Sequence, residues 1–193
     1  MRVLLVVGPS GSGKDTLLRS ARKYFAGQDR LAFVRRYITR PPDRNEDNYY
    51  LDPAAFTLLN NAGFFLSTWR AHDNFYGIPY HALAESGGVG GVLCSISRSA
   101  VGDFERHFPH TTTILVTARE EVLRQRLKGR GREDASAVRK RLERAGRPVF
   151  ARDLVIFDNS RDLERSTSMF IELLERLSGT VIGTVEARWR HDK

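Results

Sequence analysis

Near the start of the chain, Gly8-Pro9-Ser10-Gly11-Ser12-Gly13-Lys14 reads GxxxxGK, after a run of aliphatic residues and before a helical pattern. That order is what phosphate binding needs. The glycines let successive backbone N–H groups turn inward on phosphate oxygens, the following helix N-terminus adds its positive end, and the lysine reaches the β and γ phosphates. A glycine-rich turn with no ligand is the alternative, and the flanking strand and helix argue against it. ATP is the expected ligand. The eighth position departs from the pattern: Asp15 stands where Ser or Thr normally offers a hydroxyl to Mg²⁺, with Thr16 one place later. A carboxylate is also a hard oxygen ligand. Asp15 therefore either contacts the Mg²⁺ shell, directly or through water, or only favours the first turn of a helix by its charge; the sequence leaves both open.

A second constellation runs from Leu123 to Asp134 and holds Arg124, Arg126, Lys128, Arg130 and Arg132 around Gly129 and Gly131, followed by Arg139, Arg141 and Arg144. Two glycines inside a cluster of cations suit a lid, over about 128–136, that closes arginines on a transferring phosphoryl group. Alone, such a run reads as a solvated basic face; the upstream phosphate loop favours the lid. A third set comprises Arg35, Arg36, Tyr37, Thr39, Arg40 and Arg44, then Tyr49, Tyr50 and Tyr76 before Gly77. Cations and phenols converging there would hold an acceptor phosphate, while the aromatics would equally serve as a small core, so mixed roles are expected. His72, beside Asp73, reads as a surface-turn residue rather than a base, because an acceptor that is already a phosphate needs no deprotonation.

The elements that must position these groups follow from hydrophobic patterning. Arg2 to Val7, Leu31 to Val34, Val92 to Ile96, Thr112 to Val116 and Leu154 to Phe157 are short apolar or β-branched runs, as expected of strands buried on both faces of a parallel sheet. Helical spacing predicts helices over Lys14 to Phe25, Ser99 to His107, Glu120 to Lys128, Ala135 to Arg144 and a closing stretch with Leu163, Phe170, Leu173, Leu174 and Leu177. Asp158, Asn159 and Ser160 offer caps for that last helix. The alternation predicts a three-layer α/β fold with a mainly parallel sheet. The segment 37–80 breaks the rhythm with a polar loop, a short helix near Pro53 to Asn61, and aromatic strands at Phe64 to Trp69 and Phe75 to Ile78 joined by an Asp73-Asn74 turn. It reads as an inserted subdomain over the sheet. The stretch 179–193 is left open as a strand or a frayed end.

With 193 residues, 41% hydrophobic and 28% charged, the chain fits one domain over 1–193 with a real core, which excludes a disordered or fibrous class. The longest early aliphatic run is far short of the ~20 residues that span a bilayer, so no membrane partner is expected. A lone Cys94 rules out an internal disulfide or a cysteine-based zinc site and fits a cytoplasmic setting. The net charge of +8 comes from a cation set in which 26 of 31 are arginine, the side chain that grips phosphate bidentately. A genome rich in Arg codons would give the same composition.

Four stretches carry a resemblance to a known family: GPSGSGKD at Gly8 to Asp15, RYITR at Arg36 to Arg40, FYGIP at Phe75 to Pro79 and LRQRLKGRGRE at Leu123 to Glu133. Together they resemble the guanylate-kinase-like branch of P-loop kinases, and within it the ribose 1,5-bisphosphate phosphokinase family, from about Val3 to Leu177. The resemblance implies that Gly8 to Gly13, Lys14, Asp15 and Thr16 hold ATP, with Asn159 in the turn that approaches adenine. It also implies that Arg40, Arg44 and Tyr76 grip an acceptor phosphate and that Arg126, Arg130 and Arg141 are lid arginines.

Departures from guanylate kinases carry information. Those enzymes are similar but place a Glu in the strand before the YG turn and an Asp after the next core strand, both used around guanine. Here Ser67 or Thr68, and the stretch Ser95-Ile96-Ser97-Arg98, occupy those places. A lost carboxylate and a nearby cation, Arg98, point from a nucleobase toward a more anionic acceptor such as a small-molecule sugar bisphosphate. The resemblance implies ATP- and Mg²⁺-dependent conversion of ribose 1,5-bisphosphate to 5-phospho-α-D-ribose 1-diphosphate, in phosphonate breakdown. The rivals are a guanylate or other nucleoside-monophosphate kinase, a non-catalytic interaction module of the same fold, and a nucleic-acid binder using the basic surface; the kinase reading expects no nucleic-acid partner.

Overall fold

A computed structural model describes residues 1–41, 48–71, 73–84, 90–128, 146 and 148–179. Arg44, His72, Arg130, Arg141, the helix expected over 135–144, the stretch after 179 and all but the first residue of the expected lid lie outside them.

The centre is a parallel five-stranded sheet in the order β2-β7-β1-β8-β9, from β1 (Val3–Val7), β2 (Ala32–Val34), β7 (Val92–Ser95), β8 (Thr111–Thr117) and β9 (Leu154–Asp158). All five residues of β1 are fully buried because its alternate side chains feed two cores. Val3, Leu5 and Val7 join Cys94, Ile96 and Phe104 on one face. Leu4 and Val6 meet Leu17, Ala21, Phe170 and Leu174 on the other. There they pack against α1 (Lys14–Tyr24) and the closing helix α6 (Leu163–Gly179). Each such aliphatic side chain contributes about 1.5–3 kcal/mol on burial, and their sum pins the end of β1, where the glycine loop begins. Burial also pushes the Cys94 thiol well up, so it behaves as a small hydrophobe.

Residues 37–79 hold a separate four-stranded sheet in the order β4-β3-β6-β5, from β3 (Tyr37–Ile38), β4 (Tyr49–Tyr50), β5 (Phe65–Ala71) and β6 (Asn74–Pro79). Helix α2 (Pro53–Asn61) starts where Pro53 needs no partner for its nitrogen and where Asp52 accepts from the Ala54 and Ala55 N–H groups at 2.9 and 3.0 Å. Asp73, at φ 60, makes the tight β5–β6 turn. The two-residue strands β3 and β4 replace part of the expected polar loop, and α3 (Tyr80–Ala84) was not expected. Segments of two to five residues are too short to show a period. The single helix expected over 99–107 is a 3₁₀ turn, Arg98–Ala100, led by the Ser97 cap, and then α4 (Val101–His107). No helix among the described residues is long and apolar enough to cross a membrane.

Candidate active site

The loop between β1 and α1 takes the form its glycines require. Gly11 and Gly13 lie at φ 86 and 81, in the left-handed region. A Cβ on Gly13 would stand 2.4 Å from Asn159 Nδ2, and one on Gly8 would stand 2.3 Å from the Val116 carbonyl oxygen of β8. Neither site admits a side chain. Ser12 is fully buried beneath the loop, and its carbonyl is gripped by two donors: Asn159 Nδ2 at 2.6 Å and Arg126 Nη1 at 3.4 Å. Arg126 comes from α5 (Glu120–Lys128) and Asn159 from the end of β9, so two elements distant in sequence fix one turn of the loop. Burial lowers the Arg126 guanidinium from its ordinary value.

Lys14 opens α1 with its ammonium 3.9 Å from the Asp15 carboxylate, and its side chain is only 14% exposed. Asp15 sits in the first turn, which suits both of its expected roles, and Thr16 is exposed. Among the described residues no cluster of three or more His, Cys, Asp or Glu is placed to hold a metal. Asn159 is 3% exposed, and its amide nitrogen donates to the Ser12 carbonyl, so that group braces the loop.

Most of the candidate acceptor residues lie on or beside the sheet of residues 37–79. Tyr76 is buried, stacked on Trp69 with ring centroids 5.6 Å apart and planes within 6°. The Arg36 guanidinium lies 5.4 Å from the Tyr76 ring centroid and bonds to Asn48 Oδ1 at 3.0 Å and Ser95 Oγ at 3.5 Å. Arg40 follows β3 in a bend and Arg98 starts the 3₁₀ turn, both half-buried. Ser67 holds no carboxylate of its own, yet it donates from Oγ to Asp103 of α4, which also pairs with Arg106. The expectation that this corner lacks a carboxylate is corrected: one arrives from a helix 36 residues away, which no local pattern announces. Arg36 stood in the set expected to hold an acceptor phosphate, and its contacts with Asn48, Ser95 and Tyr76 set it apart within that set.

Fold and site together define a P-loop kinase of the guanylate-kinase type. A guanylate kinase from Anaplasma phagocytophilum has the same fold, with a TM-score of 0.60 at 22% identity over 91% of this chain and 85% of that one. The chain is 38% identical over 175 residues to ribose 1,5-bisphosphate phosphokinase PhnN of Brucella melitensis, covering 90% of this chain and 91% of that protein. To the protein of the same name in Acidiphilium cryptum it is 40% identical over 175 residues, covering 91% and 93%. No protein-family model matches the chain. At this identity and coverage the chain belongs to the ribose 1,5-bisphosphate phosphokinase family, as its motifs led us to expect.

Proposed function

We propose that the protein transfers the γ-phosphoryl group of ATP to the 1-phosphate of α-D-ribose 1,5-bisphosphate, giving 5-phospho-α-D-ribose 1-diphosphate and ADP. Membership of the family carries the substrate. The chemistry rests on the loop, whose shape is set from β9 and α5 through the Ser12 carbonyl.

The residues present fit a bound nucleotide phosphate. Ser12 Oγ is buried with no hydrogen-bond partner among the described residues, the Cβ-free positions leave a cradle, and Lys14 is held largely out of water at the helix start. Mg²⁺, when bound with ATP, would neutralise charge on the phosphate oxygens, and Asp15 is the carboxylate that would hold its shell. Lys14 and Arg126 supply positive charge where negative charge gathers on the moving group, and being fixed beforehand they need little reorganisation. Arg130 and Arg141 join them on the strength of the family motif. Arg40, Arg44 and Tyr76 hold the acceptor phosphate, and Arg98 adds a further cation for the acceptor. The acceptor is already an anion, so positioning in line replaces a general base. The setting is cytoplasmic, in phosphonate breakdown, with no nucleic acid or membrane as partner.

A second reading, a GMP kinase, is favoured by one observation, the Asp103 carboxylate beside Ser67. That carboxylate is already engaged with Ser67 and Arg106, so the sugar bisphosphate is preferred. The test is ADP release over a panel of phosphorylated acceptors, with the product identified by phosphorus NMR. A diphosphate signal formed from ribose 1,5-bisphosphate, unchanged by added DNA or RNA, supports the proposal. ADP release with every acceptor except that sugar refutes it.

A further inference from the structure

The two edges of the parallel sheet are unlike. β2, at one edge, has three residues and leads into the small sheet of residues 37–79. β9, at the other, has five, and its register with β8 runs unbroken from Leu154 to Asp158. Among the described residues β8 is its one strand neighbour. Edge strands are ordinarily blunted by a lysine, a proline or a bulge, and β9 has none of these. Val155 and Phe157 pack on the core beneath α1 and α6. Leu154 and Ile156, on the other face, are 38% and 65% exposed, an apolar pair on a strand whose outer edge is open among the described residues.

Two bonds to β8 show which backbone groups face outward. Thr113 N–H donates to the Asp153 carbonyl and Asn159 N–H donates to the Thr117 carbonyl, both at 2.8 Å. The N–H and C=O groups of a strand turn to alternate sides residue by residue, so the odd-numbered residues serve β8 and those of Leu154, Ile156 and Asp158 are directed away from it. Outward groups pair only with outward groups of a second strand. For two antiparallel β9 strands about a two-fold axis this leaves Leu154 opposite Leu154, Ile156 or Asp158 of a second copy. The first register sets Ile156 against Arg152, and the third sets Leu154 against Asp158, each an apolar side chain against a charge. The second joins Leu154 to Ile156 twice and brings Arg152 opposite Asp158 at both ends, the kind of cross-strand pairs that stabilise a sheet. Both charges are at the surface: the Arg152 side chain is 63% exposed and meets Glu105 through Nη1 and Nε, while Asp158 takes the Ser160 N–H and hydroxyl on Oδ1. Arg152 Nη2 and Asp158 Oδ2 have no part in those contacts.

We propose that β9 is a homodimer interface, in which two copies of this chain pair antiparallel through their β9 strands with Val155 on the two-fold axis. Leu154 of each copy lies against Ile156 of the other, and Arg152 against Asp158. One surface serves both copies, as a closed two-fold dimer requires, and the two parallel sheets become one. The small sheet follows β2 at the opposite edge, so the pairing leaves it uncovered.

The test uses the full chain. Sedimentation equilibrium should give twice the 21.9 kDa mass of one chain, and a single-chain mass persisting at about 100 μM overturns the proposal. Ile156→Lys puts a charge into both apolar pairs, one from each copy, and should raise the dimer dissociation constant about 100-fold or more. Its far-UV circular dichroism should match the wild type, because Ile156 is largely exposed. A dimer of unchanged affinity in this variant overturns β9 as the interface. The register is read by disulfide trapping. Residues facing each other in a non-hydrogen-bonded antiparallel pair have Cα atoms about 4.5 Å apart, within disulfide reach, so Val155→Cys should link two copies under a mild added oxidant and Ile156→Cys should not. The native Cys94 is fully buried and takes no part. Linkage through position 156 and not 155 overturns the proposed pairing.

Discussion

Asn159→Asp is the sharpest probe of the loop, because it keeps the shape of the side chain and replaces the Ser12 donor with an acceptor. The native amide nitrogen stands 2.6 Å from the Ser12 carbonyl oxygen in a site that is 3% exposed, and after its loss Arg126, at 3.4 Å, is the side-chain donor that remains among the described residues. A buried acceptor deprived of its main donor costs about 1–3 kcal/mol, or roughly 5- to 150-fold in an equilibrium or rate. At neutral pH, kcat/KM for ATP should fall roughly 5- to 150-fold with a lower Tm. Asn159→Ala, which removes the donor without adding an acceptor, should show a loss of the same kind. Wild-type kinetics and an unchanged Tm for Asn159→Asp would refute the idea that this bond holds the loop.

Lys14→Ala should leave Tm unchanged and lower kcat by about 10²–10³, the cost of one preorganised charge at the transition state; near-normal turnover in a steady-state assay would remove Lys14 from the site. Asp15→Ser restores the usual hydroxyl and removes a charge, so the Mg²⁺ concentration giving half-maximal activity should shift while the melting curve does not. An unchanged Mg²⁺ titration would make Asp15 a helix-start residue only.

What could be read in the sequence was what is local or periodic. The aliphatic run of β1 is buried on both faces, and that pattern announces a central parallel strand; GxxxxGK follows because its spacing is itself the mechanism. The sheet of residues 37–79 was harder, since β3 and β4 have two residues each and are defined by partners rather than by composition. The site was least legible where it is assembled across the chain. Asn159 reaches Ser12 from 147 positions away, Arg36 reaches Ser95 from 59, and Ser67 reaches Asp103 from 36. In each case a polar group seeks a partner in three dimensions, and single residues of ordinary type carry no sign of which partner that is. The resemblance offered Arg126 as a lid arginine, and its contact with the Ser12 carbonyl, 114 positions away, is a loop-bracing one that the motif did not announce.

Ribose 1,5-bisphosphate and GMP are to be compared at identical ATP and Mg²⁺ concentrations, with initial rates of ADP release giving kcat/KM for each. GMP brings one phosphate and leaves base donors short of partners at about 1–3 kcal/mol each, so two unpaired donors predict a preference for the sugar bisphosphate of ~10²-fold or more. A higher kcat/KM for GMP would contradict the account and make Asp103, beside Ser67, the group that reads a base.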